Sequence, residues 1–320
     1  LTKRAPSGMP TAEMTTEPEL QEIACQSCGA ALTGLSGMLA TICPYCASPS
    51  VIQRPPSKNR PTPTFAIGFV VDQERATQLV KQWIGRAHWF ARSDFKRAAP
   101  DCTRGVYLPA YLYGAVADTQ YSASIGENYT ETETYTTTDS NGKSVTRTRT
   151  VTKTEWRNLA GQHSCYVLDV IVTASKGTDN DSLEAIEPFD LRALRRYSPS
   201  IITGWLAELP SKDQATCFQL AHGETIAKVG SQLKHFMPGD SHRNLEHRTQ
   251  LSREVIDLVL LPIWCFAVRY DENQPPVQIL VNGQTGRVAG SVPTSTTKIA
   301  LVVGAVLLFI AAIVLLSAMQ

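Results

Sequence analysis

Ile299-Ala-Leu-Val-Val-Gly-Ala-Val-Leu-Leu-Phe-Ile-Ala-Ala-Ile-Val-Leu-Leu-Ser-Ala-Met319 carries no charge, proline or amide side chain. As a helix rising about 1.5 Å per residue, 299–319 is long enough to cross the roughly 30 Å hydrocarbon layer of a bilayer. A core helix of a soluble protein would show a polar stripe at helical spacing, and this stretch has none. Ser317 is its one polar side chain, with a carbonyl one turn back within reach of the hydroxyl. Lys298 and Arg287 precede the stretch and only Gln320 follows it. That cation bias predicts a single-pass C-terminal anchor in a membrane, its lipid bilayer partner, with the N-terminal side in the cytoplasm.

Outward from this anchor, the remaining chain has the makings of a soluble body. Hydrophobic residues make up 43% of the sequence and charged residues 18%, enough apolar material for a core. A formal charge of +1 gives no general attraction to nucleic acid or anionic lipid. The first 24 residues hold no apolar run of the kind a secretory signal needs. Residues 1–23, rich in Pro, Thr and Glu, read as disordered.

Four of the eight cysteines fall in two CxxC pairs, Cys25-Gln-Ser-Cys28 and Cys43-Pro-Tyr-Cys46. Each pair aims two thiolates at one point, and four thiolates satisfy one tetrahedral Zn2+ ion. Residues 24–52 therefore read as a zinc ribbon with one structural zinc per chain, held by Cys25, Cys28, Cys43 and Cys46. Gly29 suits the tight turn after the first pair. No Lys, Arg, Asp or Glu occurs from Ala24 to Ile52. A nucleic-acid grip needs cations, so the apolar residues of the ribbon read instead as a mini-core plus a protein-docking face. Leu35, Met38 and Tyr45 are the candidates for that face. Residues 53–63, Pro-rich and basic, read as a semi-rigid linker that keeps the ribbon apart from the body.

The body, 64–293, reads as α+β with an antiparallel sheet. A strand is expected over 64–71, then a helix from the N-cap Asp72 to about Ala91 with apolar residues at helical spacing. Further strands are expected over 106–116, 164–175, 201–209, 258–270, 276–281 and 287–292, and a helix over 213–235. Residues 129–156 alternate strictly around Asp139-Ser-Asn-Gly-Lys143 and read as a long protruding hairpin. With Gly142 left-handed in a three-residue loop, Thr130 faces Thr152, Glu133 faces Arg149 and Tyr135 faces Arg147. A two-residue loop would separate those charges onto opposite faces, so cross-strand attraction selects the first register. Gly142-Lys143-Ser144 mimics the end of a phosphate-binding loop, but it joins strand to strand and lacks the first glycine. Val106–Asp118 and Val259–Asp271 align on Pro109 and Pro262, which suggests an internal duplication.

No nucleophile elbow, phosphate loop or HExxH stands out, and the expectation is a non-enzymatic protein. His235, Asp240, His242 and His247 read as a polar surface before a second metal site. Cys102, Cys165, Cys217 and Cys265 read as buried thiols. Asp169, inside an apolar strand, should have a cationic or amide partner.

Taken together, the CxxC…CPYC ribbon, Trp83 with Trp89-Phe90, Gly105-Val-Tyr-Leu-Pro109 and the Thr-rich hairpin into Thr154-Glu-Trp156 make a recognisable order. Pro188-Phe-Asp-Leu191, Leu261-Pro-Ile-Trp264 and Val281-Asn-Gly-Gln-Thr-Gly286 complete it. In that order the chain resembles a bacterial family of membrane-anchored zinc-ribbon proteins, often labelled primosomal-helicase-like. Phe189 stands where relatives tend to have Trp. The resemblance implies attachment to the cytoplasmic face and association with flotillin-like (SPFH) partners in envelope stress. The helicase label has no motor motif behind it. The competing expectation is a membrane-tethered nucleic-acid-binding ribbon protein. It would use Arg147, Arg149 and Lys153 with Arg54, Lys58 and Arg60 of the linker.

Overall fold

The computed structural model describes residues 20–35, 42–54, 61–138 and 142–318. It is a mixed α+β protein built on one large sheet, followed by an apolar helix. At its centre lie two long strands, β5 (Asp101–Thr138) and β9 (Ser241–Val268), which run antiparallel. The strands expected at 106–116 and 258–270 are short parts of these two. Residues 241–257, which include His242 and His247 of the segment read as polar surface, extend β9 along β5 as far as Ser241 opposite Gly126. The alternation of apolar and polar residues is weak there because both faces are largely exposed.

β6 (Ser144–Thr173) returns alongside β5, from Ala110 opposite Thr173 to Thr138 opposite Ser144. The segments read as 106–116, 129–156 and 164–175 thus belong to one continuous pair of strands. Beyond Gly126 only β5 and β6 remain, forming a two-stranded arm. At about 3.4 Å per residue, 127–138 reaches roughly 40 Å. Thr130 faces Thr152, Glu133 faces Arg149 and Tyr135 faces Arg147. Gly142 has φ +77°; residues 139–141 at the tip lie outside the described residues.

The centre of the sheet has a regular arrangement. Leu108 faces Leu261, with Tyr107 opposite Pro262 and Pro109 opposite Leu260 on either side. β4 (Phe65–Ala66) runs parallel to β9, with Phe65 opposite Val259. β8 (Leu206–Glu208) runs parallel to β5 in the same way, with Val106 opposite Leu206. Helix α1 (Gln73–Gly85) is capped by Asp72 and helix α4 (Gln214–Phe236) by Asp213, each cap at the same distance from the first residue of its strand, Phe65 and Leu206. Both caps accept a backbone N–H from the third residue on, satisfying donors that a helix start leaves orphaned. Strand β10 (Val277–Asn282) pairs with β9 as β6 pairs with β5: Val281 faces Trp264 and Val172 faces Tyr111.

The packing crosses over. Ala76, Val80 and Ile84 of α1 bury against Trp264, Phe266, Ile279 and Val281 of β9 and β10. Cys217, Ala221 and Val229 of α4 bury against Tyr111, Tyr113, Val170 and Val172 of β5 and β6. Each helix therefore covers the strand pair that follows the other helix, and neither half has a complete core alone. α1 ends at Gly85 rather than near Ala91, and β4 is shorter than the expected strand 64–71. Small helices α2 (Ser93–Arg97) and α3 (Asn180–Ile186), a two-residue β7 (Arg195–Arg196) and β11 (Val288–Gly290) fill the edges.

The N-terminal module is not set apart as expected. β1 (Leu20–Cys25) lies between β2 (Ala31–Leu35) and β3 (Val51–Arg54), and β2 in turn pairs with β8. Residues 20–23, read as part of a disordered terminus, are strand. Ile23, Leu32, Cys43 and Tyr45 share one apolar cluster with Val106, Leu108, Leu206 and Leu261 of the body. A module of some thirty residues has too little core of its own, and here it completes its core on the central sheet.

The chain ends in α5 (Thr296–Ala318), whose apolar side chains stand exposed along its length. This helix is long and apolar enough to cross a membrane.

Candidate metal centre

Two similar turns make the centre. In the first, the Gly29 N–H donates to the Cys25 carbonyl at 3.0 Å and the Cys25 N–H to the Ala30 carbonyl at 2.8 Å. In the second, the Ala47 N–H donates to the Cys43 carbonyl and the Cys43 N–H to the Ser48 carbonyl, both at 2.9 Å. The residue after each CxxC is left-handed: Gly29 at φ +78° and Ala47 at φ +53°. Each turn thus points its two thiols inward.

The four sulfurs lie within 4.8 Å of one another. Cys25 and Cys46 approach to 3.6 Å, as do Cys28 and Cys43. A tetrahedron with metal–sulfur bonds of about 2.3 Å has edges of about 3.8 Å, so the cluster has the right size for a metal ion. Cys25 and Cys43 are buried, Cys28 and Cys46 half-buried. Without a cation the four thiols cannot ionise together. Burial opposes ionisation of Cys25, yet the backbone N–H groups of Cys28 and Ser27 bring it down to about 7. The hydrogen bond with Cys43, followed by burial, pushes Cys28 up. Burial likewise pushes Cys46 up to about 11. A divalent cation removes that conflict by stabilising every thiolate at once. Among the described residues, no other set of three His, Cys, Asp or Glu side chains converges so closely.

What the sequence did not reveal is how this centre is fixed to the body. Glu208 of β8 is buried and accepts from the Tyr45 hydroxyl and the Ser175 hydroxyl, both at 2.7 Å. The Ser175 oxygen in turn accepts the N–H groups of Gly177 and Thr178 at 2.8 and 3.0 Å. Burial pushes the Glu208 carboxyl up to about 7 against the pull of these hydrogen bonds. A Cβ at Gly177 would sit 2.8 Å from the Tyr45 ring, so loop and ring touch. Tyr45 is therefore not part of a docking face: its ring packs into the core and its hydroxyl is used internally. Leu32 is buried as well. Leu35 ends β2, and its side chain, like Met38, lies outside the described residues. The only hint of Glu208 in the sequence is one acid in the apolar run Trp205-Leu-Ala-Glu-Leu209.

The other candidates separate. His235 faces the Ser231 carbonyl, Asp240 accepts from the Asn128 N–H at 2.7 Å, and His247 packs against Gly230. Asp169 has the cationic partner expected, Lys228 at 2.7 Å, although it is exposed on β6 rather than set among apolar residues. Cys217 and Cys265 are buried and Cys165 is half-buried; the Cys102 side chain lies outside the described residues. Glu187 and Glu224, beside Asp169 in an open cleft, are pushed by burial to about 7.

No protein-family model matches the chain, and no solved structure does. Among curated proteins it is similar to one described as uncharacterized protein YdjG of Bacillus subtilis (strain 168). The identity is 22% over 239 residues, 74% of this chain and 66% of that protein. The chain thus covers just under two thirds of this relative's length.

Proposed function

We propose that this protein is a non-enzymatic adaptor, held to the cytoplasmic face of a membrane by α5, whose N-terminal cysteines bind one structural zinc ion. The observation that carries this reading is the four-sulfur cluster, closed and joined to the body core. Four protein sulfurs fill a tetrahedral zinc and leave no open position for a substrate. Zinc then acts by holding the two turns and the sheet β1–β3 together. The flotillin-like (SPFH) partner and a role in envelope stress rest on the family resemblance. Docking is assigned to the stretch containing Leu35 and Met38.

The alternative, a nucleic-acid-binding ribbon, needs free cations. Arg149 instead pairs with Glu133 at 3.0 Å, and Lys153 with Glu131 and Glu133 at 2.7 and 3.0 Å. These pairs support the adaptor reading. The matched strands around Leu108 and Leu261, with equivalent caps Asp72 and Asp213, also support an origin by duplication of one β-α-β-β unit.

The test is crosslinking of the full chain in membranes. The double change Leu35→Ser with Met38→Ser should lose the captured partner while metal analysis still finds one zinc per chain. Capture should persist at high salt, since apolar contact is barely screened. Salt-sensitive binding of DNA or RNA by the intact chain would favour the alternative instead.

A further inference from the structure

Trp89 and Phe90 are large apolar residues that the body leaves exposed to different degrees, Trp89 by 62% and Phe90 by 37%. They stand in the turn between α1 and α2, and that turn is tied to the start of α5. Ala91 bridges to Thr294, the Ser295 N–H donates to the Phe90 carbonyl at 2.8 Å, and the Arg92 N–H donates to the Pro293 carbonyl at 3.0 Å. The Lys298 ammonium donates to the carbonyls of Ala91 at 2.8 Å and Trp89 at 3.2 Å. Arg92, next in the chain, is held by Asp94 and Asp271. The turn is therefore fixed beside residues 293–298, immediately before the exposed apolar side chains of Ile299 and Leu301.

We propose that Trp89 and Phe90 form a second membrane contact, seated in the headgroup layer beside the point where α5 enters the bilayer. This rests on the reading of α5 as a membrane span. A helix whose hydrocarbon segment begins at Ile299 places Lys298 at the headgroup level, and with it the turn that Lys298 holds. The Trp89 indole, apolar with one polar edge, suits that layer, the Phe90 ring beside it adds apolar area, and a lysine at the boundary extends its ammonium toward the polar side. The ligand is a phospholipid surface, met in the plane of the interface. A single helix leaves the body free to swing; a second contact beside it fixes which face the body turns to the membrane.

The test uses the full chain reconstituted in phosphatidylcholine–phosphatidylglycerol vesicles whose acyl chains are brominated near the headgroup. Bromine quenches tryptophan only at short range. The chain has five tryptophans, so the readout is the part of the quenching that a single substitution removes. The contact predicts that Trp89→Phe removes most of the quenching and that Trp156→Phe, on the arm, removes none. Iodide added in the aqueous phase should quench Trp89 only weakly in vesicles. Equal quenching of wild type and Trp89→Phe in protein that floats with the vesicles would overturn the contact and leave the anchor standing. Protein that fails to float would overturn the anchor and the contact together.

Discussion

The ribbon and the arm are both additions to the same central sheet, and they are attached in opposite ways. The arm shares with the body two strands that run on past one bulge at Tyr113–Ala115, paired residue by residue from Ala115 opposite Val167 to Thr138 opposite Ser144. Among the described residues, the ribbon pairs with the body's strands over a short stretch, Leu32 opposite Glu208 and Thr33 opposite Ala207, with the Leu209 N–H donating to the Ala31 carbonyl. Yet the ribbon's joint is buried, with Tyr45, Glu208 and Ser175 closed into a dry network and Ile23, Leu32 and Cys43 in the main core. The arm's pairs are ionic, polar and exposed to water. Length of pairing is therefore a poor guide to energetic coupling. A buried hydrogen-bonded contact contributes far more than many solvated ones, because water competes for every group on the arm.

The largest effect should come from the metal. Cys43→Ser removes one thiolate from the cluster and a buried side chain from the shared core. The ribbon's strands then lose what holds them, and β8 loses its neighbour β2. Purified Cys43→Ser should carry no stoichiometric zinc and should lose at least about 3 kcal/mol of stability. The body should melt at a lower temperature as well. A body with an unchanged midpoint would show that ribbon and body fold independently, as the Pro-rich 53–63 suggested, and the buried joint would be unimportant.

Next comes pH. Folded Glu208 keeps its proton up to about pH 7, while the unfolded chain releases it near 4.3. Between these values the folded state holds more protons, so this contribution to stability is complete below about 4.3 and is lost as pH rises through about 7. The loss is on the order of 3 kcal/mol. Glu187 and Glu224 act in the same direction, so Glu208 is isolated by difference. The gap between wild type and Glu208→Gln, measured by chemical denaturation, should move in favour of the Gln variant as pH rises from 4.5 to 7.5. A gap that stays constant would mean that water reaches the joint.

The contrast between ribbon and arm also explains what could be read from the sequence. Cysteine spacing is local, and Cys25 to Cys46 come together as their pattern implies. The arm's register follows from pairing Glu133 with Arg149, again a pattern visible within a few dozen residues. Asp72 stood out as a cap because a cap acts on its own next turn. The missed features are all non-local. Tyr45 meets Glu208 across 163 residues, so nothing near Tyr45 in sequence distinguishes a docking residue from a core one. The crossing of α1 onto β9 and β10 depends on the strand order. The first half of β9, before Leu258, alternates too weakly to announce a strand. Nothing near Trp89 and Phe90 in sequence marks them as exposed, because the turn that carries them is tied to the start of α5.

Within the ribbon, a smaller effect should come from Ala47. It occupies at φ +53° the place that Gly29 holds in the first turn. A left-handed alanine costs about 1–2 kcal/mol, and glycine returns about half of that as unfolded-state entropy. Ala47→Gly should therefore stabilise the protein by about 0.5–1 kcal/mol in denaturant titrations with zinc retained. A lower midpoint would mean that the Ala47 methyl group makes packing contacts that outweigh its backbone strain.

The smallest effect belongs to the arm. Arg149 donates to Glu133 and sits 5.7 Å from the Tyr135 ring centre, yet its side chain is 63% exposed. The hydrogen bond with Lys153 and then that with Arg149 hold the Glu133 carboxyl below its ordinary range. In water such attraction is largely offset by solvation and by the freedom two long side chains give up. Lys153 also remains to pair with Glu133 when Arg149 is gone. Arg149→Ala should move the melting midpoint by no more than about 2 °C, and added salt should shrink even that. If this one exposed change lowered the midpoint as far as Cys43→Ser does, the arm would be coupled to the core by a route other than burial. The distinction between the two attachments would then fail.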